Sequence, residues 1–500
     1  DWKGRPLVST NQDGTTGSAN YVGCGCSGGD TTTVIDEMGR RQKAYRDVFG
    51  RVSKTEVLKL SGGNWVPYSS TVMAYDVRNL VTSVTEYAGA VGSGGATQQT
   101  LMTYDGYGRL KTRKRPQEDG PTTFDYYAND QLQHSKDARN AEGILVYNNR
   151  GLLTEATYVT PGSVAPTSPV TFQYDSSGMR TEMNDGPGKV TYQYNSMNRL
   201  ISETRTFDNI ANKSFTLTYG YNLAGQLTTL TDSAADTINY NRDKTGRVTS
   251  ITGSPYGGVT SYASGIQYRA WNSPKAVAYG NGFSASAKFT TRMQVQEFDI
   301  PGLIGGTYTY NSDGQLNTFV PSTAQYSQYD PRMSRTFGYD EFGRLNSSVT
   351  GGYDGFKANY NPQQDEFGNV KIASYHYWQN SNAAALFSAT YQNNRVVPNT
   401  VTDSGQAQTW NYDAMGNRTG VISTINGTPT TVESINIDAV GRGVAAGVTL
   451  DGEGQTAAFQ GNYFIRSSVF GGEILTTVDF SGNKTRGRVL DGGSLLAEQI

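Results

Sequence analysis

Two cysteines and two histidines are spread through 500 residues. A zinc site needs four ligands of Cys, His or Asp/Glu type. Cys24-Gly25-Cys26 has no second Cys-x-Cys or His-x-His to complete it. The pair stays open between structural or partner-dependent thiols, a local or longer-range disulfide, and a metal. His134 and His376 are isolated, so each reads as a surface or sheet-face histidine; a triad is defined in space and stays open. Charge is also scarce, at 17 % against a usual figure of roughly 25 %. Lys plus Arg number 42 and Asp plus Glu 44, for a net charge of -2. No global basic field exists to attract nucleic acid. No apolar run approaches the roughly 20 residues that span a bilayer. There is no Gly-x-Ser-x-Gly elbow and no His-Glu-x-x-His. The Gly-rich patches at Gly89 to Ala96 and Tyr279 to Gly282 lack a following Lys-Ser/Thr, so they read as loops and not as phosphate cradles. Amphipathic helix is missing too; the best stretch, AAALFSATY from Ala383, is short.

What remains is glycine, at 59 residues, and tyrosine, at 33, among many Thr, Ser, Asn and Gln. Tyr, Thr and Val suit a pleated surface. Gly, Asn and Asp suit tight turns. The composition predicts β-strands joined by short bends, and it carries a repeat. TYDGYGRL at Thr103 to Leu110 returns as GYDEFGRL at Gly338 to Leu345 and as NYDAMGNR at Asn411 to Arg418. Full or near copies begin at Tyr104, Tyr147, Tyr174, Tyr194, Tyr221, Tyr310, Tyr339 and Tyr412. Looser ones begin at Tyr45 and Tyr240, each lengthened before its Gly, and at Asp36 and Asp365; Tyr75 begins one that lacks the Gly. Spacings of about 20 or about 28 residues are those of supersecondary repeats.

The repeat has a mechanical meaning. A type I turn takes Asp or Asn first and Gly fourth, and that Gly closes a hairpin by adopting positive φ. Asp105, Asp175, Asn222, Asn311, Asp340 and Asp413 are the expected turn acceptors. Gly108, Gly178, Gly225, Gly314, Gly343 and Gly416 are the expected left-handed residues. Tyr104, Tyr174, Tyr221, Tyr310, Tyr339 and Tyr412 would end the incoming strands, each ring covering a neighbouring hairpin. Leu110 and Leu345 would open return strands behind Arg109 and Arg344. The flanks TFQYD, VTYQYN, FTLTYGYN and TYTYN alternate with period two, as half-buried strands do. One hairpin is marginal alone, whereas many side by side give one long sheet that twists and curls. With few charges and many Tyr and Thr, both faces can be semi-polar, which favours a hollow curved wall over a dense two-layer core.

The motif Tyr-Asp/Asn-x-x-Gly-Arg/Gln-Leu resembles the YD repeat of rearrangement-hotspot (RHS) proteins, also found in the cocoon-forming subunits of insecticidal toxin complexes and in teneurins. The resemblance covers about Val34 to at least Asn417. Val22 to Arg41, VGCGCSGGDTTTVIDEMGRR, also looks like a stretch that precedes the repeats in some bacterial members. The resemblance implies an all-β, spiralling antiparallel sheet forming part or all of a hollow shell. In bacterial members such a shell commonly encloses a toxic C-terminal domain; in teneurins it is an extracellular adhesion scaffold. It also implies a core region with a self-cleaving, aspartyl-protease-like site. No Asp-Pro-x-Gly motif of that core occurs; YDPRMSR, Tyr329 to Arg335, lacks the Gly. RGRVLDGGSLLAEQI, from Arg486, resembles the strands before that core, so cleavage site and effector would lie beyond Ile500.

The resulting expectation is a lead-in over 1–33, a repeat wall over 34–420, and its continuation over 421–500. The start lacks an initiator Met and a signal-peptide pattern, so the chain reads as a piece of a longer protein, and the resemblance implies a secreted or surface-exposed bacterial one. Its work would be structural and non-enzymatic, with no cofactor and no metal. Partners would be an enclosed C-terminal effector of the same polypeptide or, as an adhesion scaffold, a glycan or cell-surface protein; nucleic acid is not expected. A glycosidase would need paired carboxylates converging on a cleft, and no pair stands out. Asp451 in DGEG lacks the spacing of a calcium loop. The basic cluster Lys111 to Pro116 reads as a solvated strand end, or as a contact for an anionic cargo or glycan. Pro161 to Pro169 reads as a loop, since its prolines forbid a central strand.

Overall fold

The computed structural model describes every residue except 2, 24–28, 257, 323–333, 351–357, 377–383, 398–399, 404–405, 426, 445–447, 492–493 and 500. Cys24 and Cys26 therefore lie outside the described residues, as does most of Tyr329 to Arg335. Among the described residues there is no α-helix, and one 3-10 turn at Ser468–Phe470. Everything else regular is strand. The Ala-rich stretch from Ala383, too short to read as a helix, is a strand over Ala384–Ser388, paired antiparallel with Val370–His376. Five residues cannot sustain a helix, whereas pairing with a neighbouring strand satisfies part of their backbone hydrogen bonding.

A 36-stranded antiparallel sheet runs from Val8–Thr10 to Thr428–Ser434, each strand hydrogen-bonding mainly its neighbours in sequence. A separate six-stranded sheet follows, from Val448–Leu450 to Ser494–Gln499. The chain divides into two compact units, Asp1–Phe124 with Lys288–Ser434, and Asp125–Ala287 with Ile435–Ile500.

In the first unit the later strands stack by their hairpin turns on the connections of the earlier strands. Arg40, in the turn after Thr31–Ile35, bonds Asp313 and Gln315, in the turn after Ile304–Tyr310. Phe342 stacks on Tyr68 with ring centroids 3.8 Å apart, and Arg344 donates to the Tyr68 hydroxyl at 3.0 Å. Arg395 pairs with Asp119 at 3.0 Å, and the Asp119 N–H donates to the Ala414 carbonyl at 2.8 Å.

In the second unit the six-stranded sheet packs face to face on strands within Leu200–Tyr268. Leu217, Ile251 and Ala263 from the long sheet and Ile465, Leu475, Val478 and Val489 from the second are at most 2 % exposed. Alternation explains the join. Phe215–Tyr221 reads buried, half-buried, buried, exposed, buried along FTLTY, so one face is apolar throughout. The long sheet that the sequence predicts is present, and in this unit it also carries a local two-sheet core, because the semi-polar average of the whole chain hides a local run of Ile, Leu, Phe and Tyr.

Candidate functional site

The repeated turn is the chain's most elaborated local structure. In Asp105–Leu110, the Gly108 N–H donates to the Asp105 carbonyl at 3.1 Å and the Asp105 N–H to the Arg109 carbonyl at 2.9 Å. The Asp105 carboxylate accepts from the Tyr107 N–H at 2.9 Å and the Arg109 N–H at 3.0 Å, and pairs with the Arg109 guanidinium at 2.7 Å. Loss of water alone would raise the Asp105 carboxyl; the Arg109 guanidinium and those N–H groups outweigh it and hold the group below its ordinary value. Gly108 closes the turn at φ 86°. Leu110 opens the strand Leu110–Lys114, with a register shift between Thr103 and Tyr104. An extra residue in the return strand at that point adds local twist.

The other copies share this geometry. Asp340 accepts from the Phe342 and Arg344 N–H groups, and Asp413 from those of Met415 and Asn417. Asp175 accepts from Met179 and Asn222 from Gln226; the Asn311 carbonyl accepts from Gly314. Gly178, Gly225, Gly314, Gly343 and Gly416 have φ between 81° and 86°. Leu345 opens Leu345–Thr350 behind Arg344.

The tyrosine has a more specific task than covering its neighbour. Tyr104 donates its hydroxyl to the carbonyl of Val81, the residue in the leucine position of the preceding turn. Tyr174 does the same to Leu153, Tyr221 to Leu200, Tyr310 to Val295 and Tyr339 to Leu316, all between 2.7 and 2.8 Å. Tyr412 departs from this, accepting from the Val396 N–H at 3.3 Å. The Arg/Gln position reaches the other way. Gln294 donates to the Gly314 carbonyl and Gln315 to that of Gly343; Arg344 donates to Asp365. The turns at Asn311 and Asp340 are thus tied to the next by Gln315 or Arg344 and to the previous one by Tyr310 or Tyr339.

Sequence reasoning missed several copies. Asp438, Asp451 and Asp479 head the same turn, with Ile437, Leu450 and Val478 where tyrosine would stand. Asp451 in DGEG is accordingly a turn residue. Asn272, Ala235 and Met293 take the left-handed position without being glycine. Asp438, Asp451 and Asp479 keep the Asp-x-x-Gly signal without a tyrosine, whereas Ala235 and Met293 carry no turn letter at the fourth position. The copies begun at Tyr45 and Tyr240 are not lengthened: Asp47–Gly50 and Asp243–Gly246 are ordinary turns, with Arg46 and Arg242 in the tyrosine's place. Tyr279 to Gly282, read as a loop, is a tight turn as well.

A polar cluster lies between the two sheets of the second unit. Glu203 is buried and accepts from the Ser468 N–H at 2.9 Å, the Ser468 hydroxyl at 2.6 Å and the Tyr219 hydroxyl. Tyr219 also meets Ser467 Oγ at 2.7 Å. Burial is the largest influence on the Glu203 carboxyl and raises it; the donors from Ser468 and Tyr219 offset only part. Asp185, with a fully buried carboxylate, takes two 2.8 Å bonds from Arg205 and one of 3.0 Å from the Gly452 N–H. Burial also raises Asp451 and lowers Arg466. Glu203, Asp451 and Glu453 line one cavity of about 50 Å³ with Arg205 and Arg466. A ligand pocket is typically about 300–1,000 Å³. This space suits a few waters, and both Glu203 oxygens are already engaged.

The remaining candidates are surface features. His134 lies 3.4 Å from Asp125 and 3.3 Å from Glu142 across neighbouring strands. His376 ends a strand, and its side chain is outside the described residues. In the basic cluster, Arg115 and Arg113 pair with the buried Glu118 at 2.7 and 3.7 Å. No group of three or more metal-ligating side chains occurs among the described residues.

No protein-family model matches the chain, and neither does any curated protein. Solved structures do. TcdB2-TccC3-TEV aligns over 98 % of the chain with a TM-score of 0.64 at 13 % identity, and TcdB2-TccC3 without its hypervariable C-terminal region over 100 % with the same score and identity. The Photorhabdus luminescens Tc holotoxin pore aligns over 99 % at 0.63 and 12 %. The chain has the fold of these Tc toxin chains. It spans about 30 % of their length. The likeness runs through essentially every hairpin of this Tyr-Asp-repeat sheet, the separate six-stranded sheet included.

Proposed function

We propose that the chain is a wall segment of an RHS-type shell, part of a secreted or surface-exposed polypeptide whose C-terminal effector lies beyond Ile500. The observation that carries this reading is the alignment of nearly the whole chain with Tc toxin chains, one of them described by its missing hypervariable C-terminal region. The physical argument agrees with it. The most elaborated residues tie turn to turn and sheet to sheet, as a load-sharing wall requires. The buried carboxylate of Glu203 is engaged at both oxygens, beside a space of about 50 Å³ that is too small for a substrate. Enclosure would keep a toxic or poorly folded cargo from solvent until release.

Limited proteolysis of the natural-length polypeptide tests the proposal. The segment after residue 500 should resist protease while the sheet is intact and be digested once the sheet is unfolded. Immediate digestion of that segment from the native protein would refute enclosure. Saturable binding of the 500-residue chain to cells or glycans, with no protected segment, would favour an adhesion scaffold instead.

A further inference from the structure

In the first unit the stacking has a direction. The turn edge of the later strands lies on the connections of the earlier strands, with partners 255 to 296 residues apart in sequence. Later tips are covered in this way: Phe342 stacks on Tyr68, and Met415 is half-buried beside the loop that holds Asp119. The earlier strands have a turn edge of their own, made by Asp47–Gly50, Asp76–Asn79 and Asp105–Gly108. These turns are fastened into a row. Arg51 bonds Asn79 at 2.6 Å, and Arg78 bonds the Asp105 carbonyl at 2.7 Å. Their tips are Phe49, Val77 and Tyr107, which are 76 %, 100 % and 87 % exposed. Turn tips ordinarily carry Gly, Asn, Asp or Ser. An apolar row held rigidly in solvent marks a surface that expects a partner.

We propose that this row is a docking strip for the connection-bearing edge of a further hairpin sheet, lying one such interval upstream in the same, longer polypeptide. Continuity argues for that occupant, since the equivalent edge of the later strands already meets such an edge. The chemistry argues for it too. The covering edge within the unit offers a ring at Tyr68, carboxylates at Asp13, Glu37 and Asp119, and a guanidinium at Arg40. An upstream edge of that kind would stack on Phe49 and Tyr107 and reach the guanidinium groups of Arg51, Arg78 and Arg109. The inference rests on the stacking geometry and is independent of whether an effector is enclosed.

Hydroxyl-radical footprinting read by mass spectrometry decides it. Phe49 and Tyr107 should label readily in the 500-residue chain and several-fold less in the natural-length polypeptide, while Phe480 of the six-stranded sheet, itself 73 % exposed, serves as reference within each sample. Equal labelling in both proteins overturns the proposal. Labelling of the short chain that falls as its concentration rises identifies a second copy as the occupant and overturns the upstream source. A V77D/Y107D variant adds a second readout: the melting temperature of the 500-residue chain should stay put and that of the natural-length protein should drop. An equal shift in both would count against docking.

Discussion

Met293 sits at φ 64°, in the turn position that Gly108 takes at φ 86°. A side chain there brings Cβ against the following carbonyl, at a cost of about 1–2 kcal/mol. Ala235, at φ 68°, bears the same burden. Met293→Gly should therefore stabilise the protein by about 1 kcal/mol, with part of the gain returned to unfolded-state entropy. Gly108→Ala should destabilise by a similar amount, since its Cβ would meet nothing nearer than Leu80 at 3.5 Å and the cost is conformational. Denaturant midpoints of the two variants, moving in opposite directions, check both. The turn acids give a pH dependence of known sign. Asp76, held down first by the Leu80 N–H, and Asp105, held down by Arg109 against a desolvation cost, both titrate below their ordinary value. Their stabilisation is present above the unfolded Asp value of about 3.9 and is lost as pH falls through the lower folded values. This corner of the hairpin is legible in the letters because Asp-x-x-Gly is a local code. The tyrosine's hydroxyl is less so: its acceptor is a backbone carbonyl in another hairpin, Val81 for Tyr104, and a carbonyl has no letter.

Between elements, the contacts that matter join strands far apart in sequence. Asp185 accepts from Arg205 in its own sheet and from Gly452 in the other, and its carboxylate sees no solvent. Asp185→Ala leaves the buried Arg205 uncompensated and should cost about 3–5 kcal/mol, measured by chemical unfolding. Glu203 acts in the opposite sense to the turn acids. Its carboxyl is raised in the folded state, so its contribution is fully present below the unfolded Glu value of about 4.3 and is lost as pH climbs through the raised value. Glu203→Gln should flatten the fall in stability between the unfolded Glu value and the raised folded one, and leave the acid limb, set by the turns, unchanged. A midpoint-against-pH series on both proteins reads this directly, and an unaltered curve would show that Glu203 does not titrate in this window. Neither latch was legible beforehand. Glu203 stands in LISETRTF, an unremarkable alternating strand, and only the arrival of Ser467 and Ser468 from a different sheet makes it a buried acceptor.

At the scale of the molecule, the two units are held by different means, and this sets where each is vulnerable. In the first, turn edges meet connections through scattered polar bonds and one ring stack, so no single contact dominates. In the second, an apolar face carries the join. Leu217, Leu230, Ile251 and Ala263 are almost wholly buried, and Ile465, Leu475, Val478 and Val489 are among the residues that cover them. A chain that stops after Ser434 would lose the whole six-stranded sheet and return that face to water. Since burial of one large aliphatic side chain is worth about 1.5–3 kcal/mol, uncovering Leu217, Leu230 and Ile251 together forfeits an amount comparable to the stability of a typical domain, about 5–15 kcal/mol. The shortened chain should bind an apolar dye, and amide exchange should accelerate across Leu200–Tyr268. Exchange across Val52–Tyr75, whose partners lie in the first unit, should stay as it is. Uniform acceleration over both stretches would instead mean that the units unfold together. The retained protection of the first unit is the telling result, because ladders between sequence neighbours need no distant sheet to form, and a wall assembled hairpin by hairpin can lose a facing layer without losing its own pairing.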